Sequence, residues 1–359
     1  MLSAAAAAHE IRPAVVDVEA SAERLTLTIR LSLEAMVAGI DLDGLEDTDD
    51  APEADRYDAL RALEPEALAA AARDAWPELA RGFLLRAGDA ALEPVLDDVS
   101  VPETGDLDLP RDSLLRLTAA LPPDDSLVTV GWIASYGPLV VRQIDGSADA
   151  YAAYLFGGQT SDPLPRTGTA AQDALQAFGQ YLAIGFLHIL PKGLDHMLFV
   201  LGLFFLSLKM RSLLLQVTAF TLAHTVTLAC SALGLAKADP NLVEPLIAAS
   251  IVYVAAENVF LKTVTPWRVA VVFGFGLLHG LGFATALNET GLSPARFASG
   301  LIAFNLGVEL GQIAVIACAY LSIGHWFGGQ PWYRARIAIP ASLAIGCAGA
   351  YWFVERAFL

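Results

Sequence analysis

Charge is scarce in this chain. Of its 359 residues, 17% are charged and 55% are hydrophobic, with a mean hydropathy of +0.52. Ordinary globular chains carry about 25% charged residues, so a plain soluble enzyme is a poor description. Cysteine is nearly absent, at three residues, which excludes a disulfide scaffold. Cys230, Cys318 and Cys347 are single residues without a CxxC pair, so a thiolate site of the kind copper(I) prefers has no ligands. The net charge of −17 excludes nucleic acid as a partner for the chain as a whole. There is also no Gly-rich phosphate loop, which argues against ATP-driven chemistry within the chain.

What is present falls into two parts. Residues 1–172 hold 31 acidic and 12 basic residues and no lysine, whereas residues 173–359 hold 8 acidic and 10 basic residues in a series of apolar runs. An acidic soluble domain therefore precedes a membrane domain.

The start, MLSAAAAAHE, has the small-residue character of the end of a signal peptide, so residues 1–8 are expected to be a remnant of one, with His9 at the mature N-terminus. Residues 9–144 read as an acidic, β-rich, sandwich-like extracytoplasmic domain. Alternation at Val15, Val16, Val18 and at Leu25, Leu27, Ile29, Leu31 marks strands over 11–20 and 24–34. Further strands are expected near 91–101, 113–120, 126–134 and 137–144, with a helical insertion over 56–82 (Leu60, Leu63, Leu68, Ala72, Trp76). The carboxylates of 40–55 lack a calcium-loop spacing and read as a solvated loop. Residues 145–172, rich in Gly, Ser, Asp, Pro and Thr, read as a linker or wrapped edge.

Apolar runs near 194–208, 212–235, 243–262, 267–287, 297–323 and 335–354 predict six spans of an α-helical polytopic bundle. A shorter piece, 176–190, ends at Pro191-Lys192-Gly193 and reads as a half-helix or re-entrant segment. With the acidic domain outside, Lys209, Arg211, Lys262, Arg268, Arg334 and Arg336 count as inside loop charges. Lys192, Lys237, Arg296 and Arg356 lie outside, which follows the positive-inside rule.

The informative residues are those lipid tolerates poorly. His188, Asp195 and His196 flank the Pro-Lys-Gly break. Thr221 and His224 fall in the second run, Tyr253, Glu257 and Asn258 in the third, and His279 in the fourth. Asn305, Glu309 and Gln312 share one face of the fifth. A mid-membrane charge costs about 2.5–3.5 kcal/mol even on lenient scales. No basic residue is expected at the depth of Glu257 or Glu309, so these acids must be protonated, paired with a histidinium or bound to a cation. Lys192 is the nearest base to Asp195. The expected metal ligands are His188, Asp195, His196, His224, Glu257, His279 and Glu309, supported by Thr221, Tyr253, Asn258, Asn305 and Gln312. Imidazole and carboxylate together suit nickel, cobalt, zinc or iron(II). Gly274, Gly276, Gly280 and Gly282 predict close helix packing around His279.

Five ordered stretches resemble the HupE/UreJ family, in its longer branch with an extracytoplasmic N-terminal domain: HILPKGLDH (188–196), VTAFTLAHT (217–225), SIVYVAAEN (250–258), GLLHGLGF (276–283) and FNLGVELGQ (304–312). The resemblance covers about residues 176–325. It implies a multi-pass protein of the bacterial inner membrane that carries nickel or cobalt and serves hydrogenase or urease maturation proteins. The pattern that resembles the family's nickel permeases is His188 followed by Asp195-His196.

Three functions fit these residues. A divalent-metal permease would spread its ligands through the depth of the membrane. An intramembrane zinc-dependent hydrolase would cluster them at one level. A non-transporting anchor would use the acidic domain to bind a partner. In the sequence His224 and His279 are central, Asp195 is outer and Glu257 is inner, a spread that favours the permease.

Overall fold

A computed structural model describes residues 12–45, 48–105, 107, 111–144, 151–168, 170, 174–236, 238–282 and 297–358. His9 and the leader-like start lie outside the described residues. The chain divides near residue 177 into two compact units.

The first unit is built on a six-stranded mixed sheet of order β5-β6-β2-β1-β8-β9. Its strands are β1 (Ala14–Ala20), β2 (Arg24–Ser32), β5 (Val95–Ser100), β6 (Asp112–Ala120), β8 (Leu139–Gln143) and β9 (Ala152–Leu155). Neighbours run antiparallel except β1 and β8, which are parallel. A smaller sheet joins β3 (Arg86–Ala87), β4 (Ala90–Ala91) and β7 (Val128–Thr129). One sheet thus dominates, where the alternation led us to expect a sandwich.

The alternating positions point as expected: Val16, Val18, Leu25, Leu27, Ile29 and Leu31 are buried together. The helical insertion is two helices, α2 (Ala54–Arg61) and α3 (Pro65–Leu79), and a short α1 (Leu33–Ala38) follows β2 directly. Leu68 and Ala72 of α3 enter the sheet's core. Burial of the Arg111–Glu34 ion pair (2.8 Å) fixes α1 against β6. The stretch read as a linker or wrapped edge contains β9. It also contains Arg166, whose guanidinium donates to the carbonyls of Ala22, Pro122 and Ser126 and to Asp124.

The second unit is all helical. Its helices are α4 (Ala174–Ile189), α5 (Leu194–Leu206), α6 (Met210–Ala232), α7 (Pro240–Phe260), α8 (Arg268–Gly282), α9 (Phe297–Ala319) and α10 (Ile339–Phe358). Single π-helical turns, Tyr320–Gly324 and Arg334–Ala338, extend α9 and precede α10. Four helical stretches are long and apolar enough to cross a membrane: Met210–Ala232, Asn241–Phe260, Phe297–Phe327 and Arg334–Phe358. α4 and α5 together pass the same test, bent by 70° at the break, which makes up to five. The break is the Pro191-Lys192-Gly193 turn, where a Cβ on Gly193 would strike the His188 carbonyl. Within the described residues α8 runs Arg268–Gly282, apolar but below the length of those stretches. The described residues therefore hold four to five candidate spans, where the apolar runs predicted six.

Glycines set how closely these helices approach. On α8, a Cβ at Gly276 would meet the backbone of Phe220, and one at Gly280 the backbone carbonyl of His224. That pair, four residues apart, seats α8 directly on α6. Gly274 of the same run faces open space. On the other side, Gly185 of α4 and Gly307 of α9 each abut the partner helix backbone.

Candidate metal centre

The Gly276–Gly280 seam carries His279 up to α6, and the break between α4 and α5 turns His188 and His196 toward each other. One ligand atom from each of His188, His196 and His224 lies within 4.8 Å of the others. The ring centroids of His188 and His196 are 4.8 Å apart, as are those of His196 and His279. His196, His224 and His279 are at most 7% exposed. A tetrahedral ion with metal–nitrogen bonds of about 2.1 Å spaces its ligand nitrogens about 3.4 Å apart, so small side-chain rotations would close this group on one ion.

Neighbouring groups fix where the ring protons sit. Asn305 donates its Nδ2 to the Leu301 carbonyl, one turn back in α9. Its Oδ1 therefore faces His224 Nδ1 at 3.3 Å. An amide oxygen only accepts, so Nδ1 of His224 carries the proton. Its Nε2 is left with a lone pair, buried and without a hydrogen-bond partner.

His279 is set the same way. The Ser250 hydroxyl donates to the Ile247 carbonyl at 2.6 Å. Having spent its one hydrogen, its Oγ accepts from His279 Nε2 at 3.1 Å. His279 Nδ1 thus presents a lone pair to His196 Nε2, 3.4 Å away. That gap takes a proton from His196 or a cation. Orientation of imidazole by a second hydrogen bond is how metal-binding histidines are held.

The acids do not join this group. Asp195, predicted to look to Lys192, pairs instead with Arg356 of α10 (2.8 Å), and both side chains are about one-fifth exposed (21% and 22%). Glu257, expected to lack a basic partner, pairs with Arg268 at 3.0 Å. Arg268 read as a loop charge in the sequence. It is the first residue of α8 and only 1% exposed, because its guanidinium also donates to Gln216 Oε1 and Asn258 Oδ1. Glu309 accepts a hydrogen bond from Thr218 (2.5 Å).

Of the supporting residues, Asn305 orients His224 as described. Thr221 and Gln312 bond each other (3.2 Å). Asn258 belongs to the Arg268 network and also donates to the Gly202 carbonyl and Ser342 Oγ. Tyr253 is 39% exposed and packs on Phe275, apart from the histidines. Sequence reasoning passed over Ser250 and Gln216 and read Arg356 only as an outside charge. Ser250 sits seven residues before Glu257, two helical turns along α7, a spacing that marks a shared face.

The histidines were expected at different depths, but they gather at one level. His196 starts α5, whereas His224 and His279 lie in the C-terminal parts of α6 and α8. Because these helices alternate in direction, those positions coincide.

Apolar helices of spanning length around a buried imidazole cluster define a multi-pass membrane protein with a polar centre. The family model described as HupE / UreJ protein matches residues 166–356. The chain belongs to that family, a membrane family associated with nickel and cobalt transport. No curated protein and no solved structure matches the chain.

Proposed function

We propose that the chain is a permease for a divalent transition metal, with nickel or cobalt as its cargo. The observation that carries this reading is the His188–His196–His224 group, whose ligand atoms lie within 4.8 Å of one another. Its protons are set so that a buried lone pair remains on His224. Neutral imidazoles without thiolates suit nickel, cobalt or zinc, and family membership favours the first two. In this reading His188, His196 and His224 bind the ion, and His279 extends the site from His196. Glu257 is committed to Arg268, so Glu309 is the acid left for counter-exchange of protons. The chain lies in the inner membrane of a bacterium, crossing it up to six times. Its acidic domain faces outward, where it concentrates cations, and metalloenzyme maturation proteins receive the metal inside.

Uptake of nickel, cobalt and zinc into proteoliposomes tests this. The wild type is expected to carry at least one of these ions. His224→Ala should lower that flux by about tenfold or more, as loss of a ligand or its orienting partner does, and Glu309→Gln should lower it while leaving metal binding intact. A folded wild type with no flux for any of the three ions sinks the proposal.

The single level of the histidines favours one second reading, an intramembrane zinc-dependent hydrolase with an open water position. It expects cleavage of lipid amides or esters by zinc-loaded protein in the same vesicles.

A further inference from the structure

Two ion pairs lie at opposite ends of the helices that carry the histidines. Asp195 is the second residue of α5 and Arg356 stands near the end of α10. Glu257 stands near the end of α7 and Arg268 begins α8. Asn258, next to Glu257, bonds the Gly202 carbonyl toward the far end of α5. On α8, Arg268 and His279 are separated by roughly 16 Å of helix, and on α6, Gln216 and His224 by roughly 12 Å. The imidazole cluster therefore has a guanidinium–carboxylate pair beside it at one end and another about three turns away at the other.

We propose that these pairs close the two ends of the metal path, and that an incoming divalent ion enters by displacing Arg356 from Asp195. The inference rests on the permease reading and names the residues that gate it. Asp195 adjoins His196, so its carboxylate is the first anionic oxygen next to the cluster, and Arg356 now neutralises it. A divalent cation competes for that carboxylate. The released guanidinium has a resting place, since Arg356 Cζ already lies 5.5 Å from the centroid of the Trp352 ring, within cation–π range.

The other end is built differently. Arg268 is 1% exposed and donates to Gln216 and Asn258 as well as pairing with Glu257. Arg334 adds bonds to the Asn258 and Val259 carbonyls. Five helices or their leading turns meet there, so this end stays shut until the helices themselves move. The Asp195 end is the mouth, and the Arg268 end is the exit gate.

The test uses the full chain in detergent with cobalt(II) alone as probe, loading being followed by the cobalt absorption band in stopped flow. Arg356→Ala is expected to load about tenfold faster than wild type, since charges at a mouth act chiefly on association rates. Arg356→Lys keeps the charge but not the two-pronged contact with Asp195 and should load at a rate between wild type and Arg356→Ala, and Asp195→Asn should load more slowly. In vesicles, Glu257→Gln/Arg268→Gln should raise cobalt flux without changing the loading rate. If wild type loads cobalt and Arg356→Ala loads at the same rate, the mouth assignment is overturned. If the double variant folds and its flux is unchanged, the exit assignment is overturned. A folded wild type that never develops the cobalt band overturns the mouth assignment, and one that also carries no nickel, cobalt or zinc in vesicles overturns the permease reading itself.

Discussion

Ser250 has no formal charge and one hydrogen to give, yet it decides the tautomer of His279. The carbonyl of Ile247 claims that hydrogen, and the imidazole must then donate to Ser250 Oγ. Ser250→Ala frees the ring to take either tautomer or to turn away. Loss of such an orienting partner weakens metal binding by about 10–100-fold. Titration of the full chain with cobalt should read a shift of that size, while Ser250→Thr keeps the hydroxyl and most of the affinity. An unchanged affinity in Ser250→Ala would show that the backbone alone fixes His279. At this scale the sequence singled out the histidines that gather and not the groups that orient them. Histidines in apolar runs announce themselves, but Ser250 is one small residue in a run of small residues. Arg268 was misplaced for a related reason: it follows Thr265-Pro266-Trp267, which reads as a loop. Nothing in the linear order places Glu257 and Gln216 around it.

At the scale of elements, the seam between α6 and α8 carries the site. Only hydrogen fits at Gly280, because a Cβ would meet the His224 carbonyl and the Thr227 hydroxyl. Gly280→Val should push α8 off α6, a strain of about 1–3 kcal/mol or more. It should separate His279 from His196 as well, so both the thermal midpoint in detergent and the cobalt affinity are expected to fall. Gly274→Ala, whose site is open, should change neither. The sequence foretold crowding in α8 from four glycines, but contact alone separates the two that matter from the one that faces open space. Helix ends were legible where Gly and Pro punctuate them, as at the Pro191-Lys192-Gly193 break. The described residues hold four to five candidate spans against six apolar runs, and the 70° bend makes α4 and α5 one candidate in place of a half-helix and a span.

At the scale of the molecule, two units with opposite solvent habits share one chain. The acidic unit has a core of its own, and its tyrosines show how tightly it is closed. Burial raises the hydroxyl of Tyr154 to about 12, and burial is likewise the main cause that raises Tyr57, Tyr136 and Tyr151. A pKa raised by folding leaves stability intact below the unfolded value near 10 and removes it as pH climbs toward the folded value. The expressed acidic unit should therefore hold its ellipticity to about pH 10 and unfold between about pH 10 and 12. Tyrosinate absorbance should rise with unfolding rather than ahead of it; a rise that precedes the loss of ellipticity would show the rings to be open to solvent. The two-part division was plain in the sequence, because charge and hydropathy change together there. The β-rich character was plain too, through alternation, whereas the mixed order of the sheet needs the parallel contact of β1 with β8, which crosses most of the domain in sequence.

Arg268 and His279 stand eleven residues apart on α8, close to three whole turns. They therefore point to the same side of the helix, one into the ionic network and the other into the imidazole cluster. The helix works as a ruler with a fixed phase. One added residue between them would swing His279 by about 100° away from the cluster, and four would restore the direction but shift it by about 6 Å. Few insertions or deletions are compatible with both ends at once. Across related chains, the stretch from Arg268 to His279 should therefore hold its length, with side-chain variation confined to positions other than Gly276.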